Sequence, residues 1–440
     1  MDDFLVGNEE IIKLNLELKI YKYQDGVMEL EPSVKNYEWG NRGSRSVIAR
    51  MLYGEYAVLK EDVNENEDER VKPFAELWMG THPSGPSTIK YTDEPLSHYI
   101  DNNPDCLGQE SVELFGQRLP FLFKILSIRK ALSVQAHPNK EFAQELHAKF
   151  PDIYKDDNHK PELAIALTPF KAMCGFRPLH EIRKFIKDVP ELRTVIGAAN
   201  ADKLINSTTK SDGMDALKTC FRSLMTCNPD DVSSQLHVLL DTYKKQCKKK
   251  DELLDLILSL ALDFPGDVGC FSPYFLNVIS LKPGQAIFLG PNIPHAYISG
   301  DCIECMSSSD NVVRAGLTPK FKDVETLCSM LDYDGKPAEE HFLPPIEVSD
   351  VLHIYKPPVA DFLVEKFTIT EVSAYLIPAV AVASILLCVD GSAETSDGPS
   401  LHTGNVVFVS AGRELQLKPY CQSGCRFFRA MVNLHHPLHP

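Results

Sequence analysis

Residues 176–264 are patterned differently from the rest of the chain. PLHEIRKFIKDVPELRTVIG, DALKTCFRSLMTC, DDVSSQLHVLLDTYKKQ and KDELLDLILSLALDF set apolar side chains three and four apart, the spacing of one helix face. Glycine is scarce there, and Pro265-Gly266 closes the block as a helix stop. On both sides the pattern changes to short apolar runs and alternation. LPFLFKIL precedes the block; FLNVISL, QAIFLG, HAYISG, VLHIYK, FLVEKFTIT and NVVFVS follow it, and all predict strands. Between 27 and 175 proline and glycine interrupt the apolar runs, with one helical interlude, KEFAQELHAKF, at 140–150. The expected class is mainly β with an α-helical insert.

Two of the strand-forming stretches echo each other. LKPGQAIFLGPNIPH (281–295) and LHTGNVVFVSAGREL (401–415) both begin with leucine and reach glycine three residues on, at Gly284 and Gly404. An amide follows (Gln285, Asn405), then a strand carrying Phe288 or Phe408. A glycine turn leading into a strand suits a β-barrel corner, so two related barrels are expected. His295 of the first copy aligns with Leu415 of the second, so a site in the first barrel is expected to be missing from the other.

A chain of 440 residues is too long for one ordinary core, and two or three domains are expected. Its formal net charge is −16, from 61 acidic and 45 basic residues. Nucleic acid needs a clustered basic face and is therefore not an expected partner. An anionic ligand would need a local basic pocket working against the overall field. EDVNENEDER at 61–70 reads as a solvated loop. MDDFLVGNEEIIK lacks the basic start of a secretion signal. YLIPAVAVASILLCV (375–389) holds about 15 residues and a proline, short of the roughly 20 that span a bilayer, and predicts two buried strands. No membrane partner is expected. Twelve scattered cysteines read as reduced cytosolic thiols, and Cys302/Cys305 lack the second pair that a structural zinc site requires.

Candidate chemistry begins at LSVQAHPNK (132–140). In a strand Ser133, Gln135 and His137 share a face, and Gln135 and His137 lie about 6.6–7 Å apart, close enough to converge on one ion. HKPELAIAL places Glu162 after Pro161 at the mouth of an apolar strand that needs no carboxylate for packing. GPNIPHAYISGDCIECMSSSDNVVRAGLTPK places His295 after Pro294 and adds Glu304, Asp310, Arg314 and Lys320, a dense polar run inside a core-like pattern.

These stretches resemble the type I phosphomannose isomerase family. Gln135-Ala136-His137-Pro138, His159-Lys160-Pro161-Glu162, Pro294-His295-Ala296-Tyr297 and the run from Asp310 to Lys320 carry the likeness. So do Tyr37-Glu38-Trp39-Gly40 and Glu76-Leu77-Trp78-Met79-Gly80-Thr81-His82-Pro83, and it extends from about residue 27 to the C-terminus. The resemblance implies a zinc-dependent cupin enzyme that interconverts mannose 6-phosphate and fructose 6-phosphate, feeding GDP-mannose synthesis. It implies two cupin (jelly-roll β-barrel) domains and a helical domain: an extension at 1–26, a catalytic cupin at 27–175 and 265–335, the helical insert at 176–264, and a C-terminal cupin-like domain without a metal site at 336–440. Carried over by motif, Gln135, His137, Glu162 and His295 are the zinc ligands, one ion per chain, and Arg314 is the active-site arginine.

Two imidazoles, a carboxylate and an amide keep zinc a hard Lewis acid, suited to an enediolate beside sugar oxygens. Glu304 is the leading candidate for the proton-carrying base. Arg314 and Lys320 are candidates for the phosphate, with Ser133, Lys124 and Lys160 as further donors. No Walker-type glycine loop is present, so side chains must hold the phosphate. Trp39, Trp78 and His82 read as pocket walls. The alternatives are an iron-dependent cupin oxygenase and a sugar-phosphate-binding cupin without turnover. Gln135 in place of a histidine speaks against the first, and the presence of Arg314 and Glu304 against the second. A phosphorylated hexose is the expected partner, the cytosol the expected location, and a single chain the expected working unit.

Overall fold

Strand-forming alternation produces two β units whose outer faces share a core. In the computed structural model, which describes residues 26–59, 72–246, 251–370, 373–396, 398–420 and 423–435, a ten-stranded sheet carries the stretches singled out above. Its path runs through Leu276–Leu281, Phe170–Phe176, His295–Ser307, Phe121–Ile128, Glu76–Met79 and Ser33–Lys35. Glu162–Ala166 and Val134–Ala136 both pair with His295–Ser307, and Val313–Gly316 pairs with Val134–Ala136. The second unit is an eight-stranded sheet facing a four-stranded one. Val27–Glu31 belongs to it, pairing with Val406–Val409, so the chain runs through the second unit before it enters the first. Residues 1–25 and the acidic run 61–70 lie outside the described residues.

The joint core forms because the central strands are apolar on both faces. Phe123, Ile125, Ile303 and Cys305 meet Val364, Ile385, Phe408 and Phe428 of the second unit. Each such side chain contributes about 1.5–3 kcal/mol relative to exposure. The other face of Phe121–Ile128 carries Leu126 and Ile128, and between them and Leu122 sits Lys124, a lysine only 6% exposed. Cys302 and Cys305 lie on opposite faces of their strand, which excludes them as a chelating or redox pair.

The helical periodicity is realised as Leu179–Asp188, Pro190–Ile196, Ala198–Asn206, Lys210–Met225, Pro229–Gln246 and Glu252–Asp263. Caps follow from sequence: the Thr209 hydroxyl accepts from the Asp212 N–H, and the Asp251 carboxylate from those of Leu253 and Leu254. Phe221 anchors this block to the sheet, edge-on to Phe176 at 5.1 Å and to Phe275 at 5.7 Å. The helical interlude is Lys140–Lys149, capped by Asn139.

The architecture is mixed sheet and helix, with further helices outside the expected helical insert. Val47–Leu59, Leu96–Asn102 and Gln109–Phe115 are also helical. The last two are seven residues each, too short for a period to show, and the first is kinked at Gly54. The apolar run at 375–389 forms two strands, Tyr375–Ile377 and Ser384–Asp390, and no described helix is long and apolar enough to cross a membrane.

The sequence echo is a structural one. Gly284 and Gly404 both take positive φ, +87° and +92°. The following amide folds back in each case, Gln285 accepting from the Lys282 N–H at 2.8 Å and Asn405 from the His402 N–H at 2.7 Å. His295 opens the strand after the first copy, and buried Leu415 opens the strand after the second.

Candidate metal centre

His295–Ser307 is a thirteen-residue strand that changes partners midway. Its first part pairs with Phe170–Phe176, its second with Phe121–Ile128 and Glu162–Ala166. The change occurs at Gly300, φ +108°, where a Cβ would stand 2.5 Å from the Pro169 carbonyl oxygen, so only glycine fits. A register irregularity just before it alters which residues face inward. Tyr297 points into the interior before it and Cys302 after it, which brings Glu304, two residues beyond Cys302, onto the face that His295 opens. One strand therefore supplies an imidazole and a carboxylate to the same face.

Direct register assembles the rest. Gln135 stands opposite His295 on one side and Arg314 on the other, so the three share a face. Glu162 stands opposite Met306, and Glu304 opposite Lys124 and Ala164. His137 Nε2 lies 3.1 Å from Glu162 Oε1, and His295 Nε2 lies 3.5 Å from Glu162 Oε2. The ligating atoms of His137, Glu162 and His295 all fall within 4.8 Å of one another, and all three side chains are buried. Gln135 Nε2 is 3.4 Å from His295 Nε2, and its Oε1 accepts from the Ser133 hydroxyl at 2.8 Å.

The tautomers are fixed from behind. His137 Nδ1–H donates to the Asn311 carbonyl at 2.6 Å and His295 Nδ1–H to that of Ile293 at 2.9 Å, leaving both Nε2 lone pairs aimed inward. His137 Nε2 is buried without a hydrogen-bond partner, the condition of an atom built for a cation. Burial keeps His137 neutral, its pKa drawn down to about 4 although Glu162 pulls the other way. Burial also works to raise the Glu162 carboxyl, but the two imidazoles outweigh it and hold it well below the usual carboxylate range. Two imidazoles with their Nε2 atoms turned inward and a carboxylate in this arrangement fit a divalent cation such as zinc.

The depressed His137 pKa has a stability consequence once metal is stripped by chelator. Between the unfolded value near 6.5 and the folded value of about 4, the unfolded chain binds more protons. Stability of the stripped protein is thus expected to hold above pH 6.5 and to fall as pH drops toward 4. Urea melts across that window check it, with His137→Gln losing the part of the slope that His137 contributes. A wild-type slope in that variant would assign the titration elsewhere.

A charged group adjoins the metal side chains. Lys124 Nζ lies 3.0 Å from Glu304 Oε2 and 3.5 Å from Glu76 Oε2, and 5.0 Å from the centre of the Trp78 ring. Trp78 Nε1–H donates to Glu76 Oε2. Burial raises the Glu304 carboxyl, with Lys124 opposing; burial works against the Lys124 ammonium, yet Glu304 and Glu76 raise its pKa far above normal. Lys160 sits beside this group, its pKa lowered by burial and by Lys124. Tyr297 hydroxyl donates to Glu162 Oε2 at 3.4 Å.

Of the residues singled out from sequence, Gln135, His137, Glu162, His295, Ser133, Glu304, Lys124, Lys160 and Arg314 gather in or beside the donor group. Lys320 is exposed, its Nζ 6.0 Å from the ring of Tyr37, whose hydroxyl feels Glu76, Lys124 and Asp310. Trp78 and His82 are buried wall residues, as expected, with His82 3.4 Å from Asp310. Glu76, Tyr297 and the carbonyl of Asn311 carried no signal of their own. Glu76 stood in a quoted motif without a role, and a backbone carbonyl has no sequence signature.

Two family profiles match the chain: the type I phosphomannose isomerase catalytic domain over residues 27–179 and the helical insertion domain of that family over residues 195–276. Mannose-6-phosphate isomerase of Homo sapiens is 44% identical over 424 residues, and that of Bos taurus 43% identical over 423. Each alignment covers 92% of this chain and 98% of the relative. Among solved structures, a variant of phosphomannose isomerase from Salmonella typhimurium superposes with TM-score 0.79 at 31% identity, covering 93% of this chain and 100% of its own. A zinc-bound mannose 6-phosphate isomerase superposes with TM-score 0.78 at 32% identity, with the same coverage.

Proposed function

The chain belongs to the type I phosphomannose isomerase family, and from that premise we propose that Gln135, His137, Glu162 and His295 hold the zinc ion with which it interconverts mannose 6-phosphate and fructose 6-phosphate. The observation that carries the assignment is the convergence of three buried donors within 4.8 Å, two of them imidazoles with their tautomers fixed. An amide meets a cation through oxygen, so Gln135 joins them after a half-turn of its amide, which exchanges two atoms of similar size and leaves Ser133 bonded to the nitrogen. Zinc, when bound, draws electron density from the sugar oxygens and offsets the charge of an enediolate.

The remaining steps fall to side chains. Converting the open-chain aldose to the ketose removes the proton on C2 and delivers one to C1. Glu304 is the proposed carrier, its carboxyl raised by burial so that it holds a proton more readily than an ordinary glutamate, while Lys124 keeps it ionised between transfers. Lys160, whose ammonium gives up its proton more easily than usual, is placed to protonate a sugar oxygen. Arg314 meets the phosphate or the enediolate charge with its planar fork. The iron-dependent oxygenase and the binding cupin without turnover have no comparable support: the relatives are isomerases, and the buried acid–base group is what proton transfer between adjacent carbons requires.

We further infer that both β units are cupin barrels, the second having lost its metal group where Leu415 replaces the histidine. The free thiols among the described residues suit a cytosolic setting. A coupled assay from mannose 6-phosphate to fructose 6-phosphate tests the function. Turnover is expected to disappear with chelator and return with zinc; turnover that survives complete zinc removal sinks the reading.

A further inference from the structure

The second β unit contributes a charged side chain to the catalytic one. Asp361 lies between strands Leu352–Tyr355 and Leu363–Ile369 of the second unit and is 7% exposed. Its loop is fixed by Asn433, a fully buried residue just past the last strand. Asn433 Nδ2–H donates to the carbonyls of Val359 at 2.8 Å and Pro357 at 3.3 Å, and its backbone N–H donates to that of Ala360 at 3.0 Å. Buried Phe362 anchors the other side in the joint core. The carboxylate so placed reaches across the boundary between the units. Both its oxygens lie beside His159 Nε2, at 3.1 and 3.2 Å.

His159 opens His159-Lys160-Pro161-Glu162. Pro161 has a fixed φ and restricts the residue before it, so a tether at His159 is transmitted to the directions of Lys160 and Glu162. The same stretch is tied to the end of the Glu304 strand, where the Ser307 N–H donates to the Pro161 carbonyl at 3.2 Å. Asp361 stands at this junction. Burial alone would raise its carboxyl, but His159 and then Ser307 outweigh burial and hold it below the usual range, so it is present as the anion. A buried carboxylate aimed at one imidazole of another unit is a costly way to glue two β units whose apolar faces already meet.

We infer that Asp361 is a positioning residue for the isomerisation: through His159 it fixes the stretch that carries Lys160 and Glu162, so the second unit completes the site that lies in the first. This rests on the roles given above to Lys160 and Glu162. A shift of about 1 Å in such groups, or loss of a supporting contact behind a metal ligand, typically costs about 10- to 100-fold.

The test is a double-mutant cycle on zinc-loaded full-length protein, with kcat, KM and bound zinc measured for D361A, H159A and the pair. Each single variant is expected to lose about 10-fold or more in kcat/KM per bound zinc, and the pair no more than the worse single. D361N, which keeps an acceptor oxygen for His159, is expected to recover part of the loss. If D361A does not fold, H159A and D361N carry the comparison. Normal kcat/KM per zinc in folded D361A and H159A, with only a lower melting temperature, overturns the proposal, as do additive losses. Failure of the isomerase reading is separable, because it would show in the wild-type chain as turnover indifferent to chelator.

Discussion

A His295→Ala chain is expected to retain little zinc after dialysis and to lose on the order of 10³-fold or more in turnover. The imidazole has no substitute nearby. Its Nδ1–H is spent on the Ile293 carbonyl, and its Nε2 faces Glu162 at 3.5 Å and Gln135 at 3.4 Å, closing the inner side of the donor group. Without it one neutral imidazole, one carboxylate and an amide remain, a set with one nitrogen donor for an ion that favours nitrogen and thiolate. The effect on fold is expected to be small, because His295 opens its strand and the pairing with Cys174 is a backbone contact. Gln135→Ala is expected to be milder, about 10- to 100-fold, because a neutral amide supplies less field than an imidazole held by a carbonyl behind it. Metal analysis of dialysed protein beside the coupled assay checks both. Full activity with depleted zinc in His295→Ala would show that the donor group is not the catalytic ion's site.

Much of this centre was legible because its residues break their local patterns. Glu162 enters a five-residue buried strand where packing asks for an apolar side chain, and Gln135 and His137 alternate with buried Val134 and Ala136. A polar residue on a buried face signals a partner, and four such residues in one motif set point to one ion. The helical insert was legible for the converse reason: long segments let a 3.6-residue period accumulate. What remained hidden depends on pairing across the sheet. Lys124 lies in LPFLFKIL, where a lone lysine reads equally well as a solvated edge; only its register against Glu304 and Trp78 makes it a buried cation beside two carboxylates. Lys320 is reached through Leu317, whose φ of +52° no sequence pattern announced, and its Nζ stands exposed 6.0 Å from the Tyr37 ring. Asp361, far along the sequence and in the other β unit, had no local signal at all.

Arg314→Ala is expected to keep its zinc, to lose on the order of 10²–10³-fold in kcat, and to be no less stable than the parent chain. The guanidinium is half-buried on the face it shares with Gln135, and burial lowers its pKa without discharging it. Among the described residues no carboxylate lies within ion-pair distance of it, and Glu76, Glu162 and Glu304 are each engaged with Lys124 or an imidazole. A desolvated cation without a partner costs stability, so removing it relieves the folded state while depriving an incoming anion of its counter-charge. Loss of turnover with unchanged or higher melting temperature is therefore the signature of a residue kept for substrate; loss of both would mark a packing role instead. Arg314→Lys is expected to recover little, because an ammonium cannot span two oxygens as the planar fork does. Steady-state kinetics, metal analysis and thermal melts of the two variants decide it: normal kcat/KM in Arg314→Ala removes the residue from the site, and zinc loss would mean that it supports Gln135 rather than the sugar phosphate.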